Sequence, residues 1–193
     1  MDIGTLERAL GVARSTLANV RPDAYGDPTP CASWNVGRLV THLVGATYWF
    51  ADSVDTGIAP TGEDDRSEEL DVTPDGALRA FDEGAGRAVA AFSAPGALDR
   101  VVRLPFGDMP AGVFLALAVN DVFTHAWDLA KATGQPTDLA PDIAGELLGI
   151  VKMAVGPEFR GPDGSGAPFG PEVAVSPSAP LADQLAAFLG RTP

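Results

Sequence analysis

Residues 111–134 read AGVFLALAVNDVFTHAWDLAKATG. Apolar residues return every three or four positions through this stretch, the spacing of one face of an α-helix. The spacing predicts a helix from about Ala111 to Thr133. Gly134 is suited to the left-handed turn that stops it. Asp121 and His125 sit four apart, so they share a face. Leu117 and Leu129 continue their row, and Phe114, Ala118 and Val122 flank it. An ionised carboxylate in an apolar row is costly unless it is paired or bound to a cation. The row therefore asks for a partner.

His125 is one of only two histidines in the chain, and the other is His42. A second helix is expected from Trp34 to about Ser53, with Ser33 as its N-cap. Its apolar face is Leu39, His42, Leu43, Ala46, Trp49 and Phe50, so His42 lies within the stripe. Before it, Ile3, Leu6, Leu10, Ala13, Leu17 and Val20 mark a helix over residues 3–20, ended by Pro22. Thr73 or Asp75 is expected to cap a third helix running to about Phe92. RVVRL, residues 100–104, reads as a short β-like excursion, followed by a turn from Pro105 to Pro110. Pro141 opens a further helix to about Val155, and LADQLAAFLG closes the chain with a short one.

Residues 55–72 form a polar, acidic loop, with lid or partner contact as alternatives to plain solvation. Residues 156–180 are rich in Gly and Pro. GPDGSGAPFG within them lacks the strand–helix context of a phosphate loop and reads as a linker. Several amphipathic helices with little strand make an all-α bundle. At 193 residues, a single domain spanning 1–193 is expected.

The 13 Lys and Arg face 26 Asp and Glu, a formal net charge of −13. Such a surface repels phosphate backbones and anionic membranes, so neither nucleic acid nor a membrane is an expected partner. No apolar run approaches the roughly 20 residues that span a bilayer. The N-terminus lacks the features of a signal peptide. The single cysteine, Cys31, permits no internal disulfide and fits a reducing cytoplasm.

Two imidazoles and one carboxylate from two helices define three corners of a tetrahedron, leaving the fourth for water or substrate. The donor set suits zinc, nickel, iron or manganese. The alternative is a core histidine beside a simple Asp–His hydrogen bond. Asp128 is read either as orienting a ligating imidazole or as a brace to Arg38 or another base, with the brace favoured. Trp34 and Trp127 are read as core anchors. Trp49 and Phe50 are read as core in preference to pocket lining. Cys31 is read as a small buried residue in preference to a reactive thiol. No role is assigned to Asn120.

The segment TPCASWNVGRLVTHLVGATYWFA resembles the N-terminal signature of actinobacterial proteins related to mycothiol-dependent maleylpyruvate isomerase, within the DinB/YfiT-like metalloenzyme superfamily. NDVFTHAWDLAKATGQP is similar to their second signature, an acidic residue, three spacers and His-x-Trp-Asp-Leu-Ala. FGPEVAVSPSAPLADQLAAFLGRTP resembles the ending of one branch of the group. The resemblance implies a four-helix, up-down-down-up bundle with short extra helices. It also implies a divalent metal, usually zinc, held at His42, Asp121 and His125. The isomerase family carries glutamate at the place of Asp121, and aspartate is one methylene shorter. The chain is expected to lack the separate C-terminal domain of the full isomerase.

An open metal site acidifies either a water for hydrolysis or a small thiol for nucleophilic attack. The resemblance favours the thiol, a low-molecular-weight one such as mycothiol, in a transferase or isomerase acting on a small-molecule substrate. Two other readings stand beside it: a non-enzymatic metal- or small-ligand-binding bundle, and a metal-free structural one. A homodimer through a bundle face is a further expectation.

Overall fold

The computed structural model describes residues 1–31, 33–61, 70–162 and 165–193. Helix α1, Ile3–Ala18, starts where the Asp2 carboxylate accepts from the Thr5 backbone N–H at 2.8 Å and the Thr5 hydroxyl at 2.9 Å. It buries Leu6, Leu10, Ala13 and Leu17 of the expected stripe and Ala9 beside them, while Ile3 is half-buried and Val20 lies beyond the helix end.

Helix α2 spans Val36–Thr56 and is capped by Asn35, whose side chain accepts from the Arg38 N–H at 2.9 Å. Ser33 does not cap it. An extended pairing of Pro28 with Asn35, and the bond from Val36 N–H to the Asp27 carbonyl, hold the chain out of helix until Asn35. The helix also outruns its expected end. Ser53 and Thr56 fold their hydroxyls back onto the carbonyls of Trp49 and Asp52, and the turn closes only at Gly57, which sits at φ 74°.

Helix α3 is Ala77–Ser93. Thr73 closes the turn ahead of it and accepts from both Gly76 and Ala77 through its carbonyl, so the helix begins later than a Thr73 cap would place it. Strand β1, Val101–Val102, pairs antiparallel with β2, Met109–Pro110. This is the small β excursion the sequence predicts. Helix α4, Ala111–Ala132, follows directly, and Gly134 at φ 69° takes the left-handed position after it. Helices α5, Pro141–Ala154, and α6, Leu181–Phe188, complete the molecule.

Packing orders the four long helices α1, α3, α2, α4 around a ring, so that α2 and α4 are neighbours. α2 and α3 approach closely at Gly84, where a Cβ would meet the Thr47 hydroxyl at 2.0 Å and the Tyr48 ring at 2.6 Å. The core holds Phe81, Phe92, Phe114, Phe123 and Trp127, all fully buried. Trp49 and Phe50 join Phe114 in edge-to-face contacts at 5.5 and 5.3 Å, so core packing, not pocket lining, is their place.

Helix α5 packs on α6, and α6 is tied to α4 by the Trp127 indole donating to Asp183 at 2.8 Å. The Gly/Pro-rich segment is pinned by Arg160, which donates to the Gly170 and Phe188 carbonyls. Residues 62–69 of the acidic loop lie outside the described residues. Among the described residues no helix is long and apolar enough to cross a membrane.

Candidate metal centre

The contact of α2 with α4 brings the three expected donors together. His42 Nε2 lies 3.4 Å from Asp121 Oδ1, and His125 Nε2 lies 3.6 Å from the same oxygen. The donor atoms of all three residues fall within 4.8 Å of one another. The two imidazoles stand edge to face, with ring centroids 4.6 Å apart. Hydrogen bonds between such groups are ordinarily shorter, about 2.7–3.2 Å. Donors bound to one tetrahedral zinc at about 2.1 Å are held roughly 3.4 Å apart by that geometry. The 3.4 Å contact of His42 with Asp121 is a long hydrogen bond, and the same spacing also suits ligands around one ion.

A second observation agrees. Asp121 Oδ2 is buried and, among the described residues, has no hydrogen-bond partner. A buried carboxylate oxygen left without a partner costs stability unless a cation meets it. The donor set of two imidazoles and one carboxylate therefore fits a divalent metal. Aspartate in place of glutamate still reaches the cluster.

The electrostatics follow from the same contacts. Burial works to lower the His42 pKa, but the Asp121 carboxylate overcomes it and the net shift is upward. Burial works to raise the Asp121 pKa, and the two imidazoles overcome it, leaving it below the ordinary carboxylate value.

Behind His125 lies a second group. His125 Nδ1 is 3.0 Å from Asp128 Oδ2. Asp128 is completely buried and is gripped by Arg191, whose Nε and Nη2 reach its two oxygens at 3.2 and 3.1 Å. Against burial, Arg191 and His125 hold the Asp128 carboxyl down to about 2. Asp128 is thus a brace, but to Arg191 and not to Arg38. It also touches the His125 ring, the contact that the other reading of Asp128 needs.

Cys31 donates its thiol to Asp128 Oδ2 at 3.3 Å and lies 4.0 Å from His125 Nδ1. Burial and the Asp128 charge push this thiol up to about 12. It is therefore neither an apolar filler nor an activated nucleophile, but a third donor to Asp128. Cys31, His125 and Asp128 also form a ligand-like group. The Arg191 guanidinium, already 3.1 Å from Asp128 Oδ2, occupies the cation's place there.

Trp34 packs against the core as expected, but does more. It is only half-buried and lies against both imidazoles, 4.9 Å from the His42 ring and 5.7 Å from the His125 ring. The Arg38 guanidinium sits 5.7 Å from the Trp34 centroid. Both residues line an open groove with Gly26, Pro28, Ser33 and Asn35. Trp127 is a core anchor as expected. Arg191 escaped the sequence reading because it lies 63 positions from Asp128, and no local pattern links them.

Comparison with known proteins adds the relationship. Two uncharacterised proteins of Mycobacterium tuberculosis, from two strains, are each 43% identical over 186 residues, covering 96% of this chain and 95% of their own. Crystal structures of the mycothiol-dependent maleylpyruvate isomerase and of a mutant of it superpose with TM-scores of 0.60 and 0.62, at 19% and 16% identity, over 76% of this chain. That likeness shows the shared bundle fold. The present chain spans 65% of the isomerase's length. The model of the mycothiol maleylpyruvate isomerase N-terminal domain matches residues 6–130, a stretch that contains His42, Asp121 and His125. The chain belongs to the mycothiol maleylpyruvate isomerase N-terminal domain family.

Proposed function

We propose that the protein binds a divalent metal, zinc first, at His42, Asp121 and His125, and uses it to activate a low-molecular-weight thiol of the mycothiol type toward a small electrophile. The observation that carries this reading is the convergence of three donors from α2 and α4 at ligand-like spacing, with Asp121 Oδ2 left for a cation. The family supports the choice of thiol, because the related isomerase is named for its dependence on mycothiol. A reducing cytoplasm, where such thiols are kept, is the setting this reading requires.

When bound, the metal supplies a Lewis acid that favours the thiolate over the thiol at neutral pH. The rest follows from the chain's own groups. Two neutral imidazoles and a single carboxylate cancel only part of a dication's charge, so the site keeps a net positive field for an anionic sulfur. Trp34 walls one side of the imidazole pair and keeps water from it. The His42 side chain is 36% exposed, so solvent and ligands reach the donors from its side. Arg38, over Trp34 in the adjoining groove, offers a guanidinium to an acidic substrate.

Elemental analysis of protein purified without a polyhistidine tag tests the metal. One equivalent of a divalent ion, lost in His42→Ala and His125→Ala, is expected. Thiol consumption with a model electrophile tests the activity. It is expected to need both metal and thiol and to stop with a chelator. Metal retention without any thiol-dependent turnover would leave a non-catalytic metal-binding bundle. Metal-free protein that cannot be loaded would overturn the proposal.

A further inference from the structure

Asp128 receives more donors than a structural ion pair needs. The guanidinium of Arg191 takes both carboxylate oxygens, His125 Nδ1 faces Oδ2, and the Cys31 thiol donates to the same oxygen. A carboxylate gripped on both oxygens by a planar fork has no freedom to turn. Arg191 is itself fixed. Its backbone N–H bonds the Ala186 carbonyl at 2.9 Å and its Nη1 bonds the Leu189 carbonyl at 3.0 Å. Those carbonyls belong to the end of α6, which the Trp127–Asp183 bond holds against α4.

The consequence lies at the imidazole. An ionised carboxylate only accepts, so the atom facing it must carry the proton. With the proton on Nδ1, neutral His125 presents a lone pair at Nε2, the nitrogen that faces Asp121. We propose that Asp128 and Arg191 are positioning residues that fix His125 in the Nδ1–H form, so that the segment after α6 sets the metal affinity of a centre whose ligands all lie on α2 and α4. The proposal rests on the metal reading above. It adds a part of the chain that lies outside the matched family stretch of residues 6–130.

Asp128→Asn tests it. The amide keeps the shape of the carboxylate but can offer an N–H to Nδ1, which selects the opposite form and puts a proton on Nε2. Because this leaves the Arg191 charge buried and unpaired, a second variant, Asp128→Asn with Arg191→Met, removes both charges together. Two quantities are measured. The first is the His125 ring form in metal-free protein, read by long-range proton–nitrogen correlation at a pH where titration of the same signals shows the ring neutral. The second is the zinc dissociation constant, by competition with a coloured chelator.

The expected results are the Nδ1–H form in the parent, a shift toward Nε2–H in both variants, and zinc binding weakened roughly 10–100-fold. Arg191→Lys is expected to retain most of the parent's affinity. An Nε2–H ring in the parent overturns the proposal, and that measurement needs no variant to fold. So does an unchanged ring form and unchanged zinc affinity in a folded variant. If the parent shows the Nδ1–H ring and loses it in the variants, yet takes up no zinc, the metal reading falls and the positioning of His125 stands.

Discussion

His42 and His125 stand with their ring planes at 77°, so the edge of one imidazole meets the face of the other while both Nε2 atoms address one Asp121 oxygen. Two helices must hold their relative position closely for this to persist. Removing either ring deletes one of three donors and leaves the buried Leu39 and Leu43 of α2 and Val122 and Leu129 of α4 untouched. His42→Ala and His125→Ala are therefore expected to weaken zinc binding by at least about 100-fold, beyond the loss typical of an outer partner, with helical content unchanged. Calorimetric titration checks the affinity and circular dichroism the fold. Wild-type affinity in both variants would place the ion elsewhere.

The Asp128 carboxyl makes an acid-stability prediction. Its folded pKa of about 2 lies below the ordinary 3.8 because Arg191 and His125 overcome burial. A depressed carboxyl pKa adds stability above the unfolded value, and that stability is lost as pH falls through the folded one. The window runs from about pH 4 to about pH 2, and the full contribution is about 2 kcal/mol. Urea unfolding of metal-free protein across that window is expected to fall more steeply for the parent than for the Asp128→Asn, Arg191→Met variant. Parallel curves would count against it.

Cys31 is expected to resist alkylation. A thiol at about 12 in place of its ordinary 9.0 holds roughly a thousandfold less thiolate at neutral pH, and the thiolate is the reactive form. Iodoacetamide labelling of the folded chain should run at least about 100-fold slower than labelling in urea. Asp128→Asn should speed it, since the charge that raises the thiol is gone. Equal rates in folded and unfolded protein would contradict the observed environment.

Gly84 tests the fold itself. A methyl group there meets the Thr47 hydroxyl and Tyr48 ring at 2.0 and 2.6 Å, both on buried side chains of α2. Gly84→Ala is expected to cost about 1–3 kcal/mol through overpacking, even though alanine is the better helix former. A chemical denaturation midpoint equal to the parent's would show that α2 and α3 yield more easily than their packing implies.

Much of this arrangement was legible in the chain because it is written locally. The apolar rows of α1, α3 and α4 repeat at helical spacing, and Asp121 with His125 announce a shared face four residues apart. His42 was legible as a polar residue within an apolar stripe. What escaped depends on partners remote in sequence. The start of α2 moved from Ser33 to Asn35 because Asp27 and Pro28 hold the chain extended there. Trp34 does pack against the core, but its contact with the two imidazoles could not be read from its place in the sequence. The grip of Arg191 on Asp128 joins two distant positions, and no periodicity records such a contact.

Trp34 has one more consequence. Its indole lies within contact of both imidazoles, whereas Trp127 is sealed in the interior and Trp49 packs on phenylalanines. Protonated imidazole quenches indole emission, and ligation of the same nitrogens shuts that channel. The molecule thus carries its own lamp beside the donors, and its brightness is expected to change, without any added dye, when a divalent ion is added to the metal-free protein.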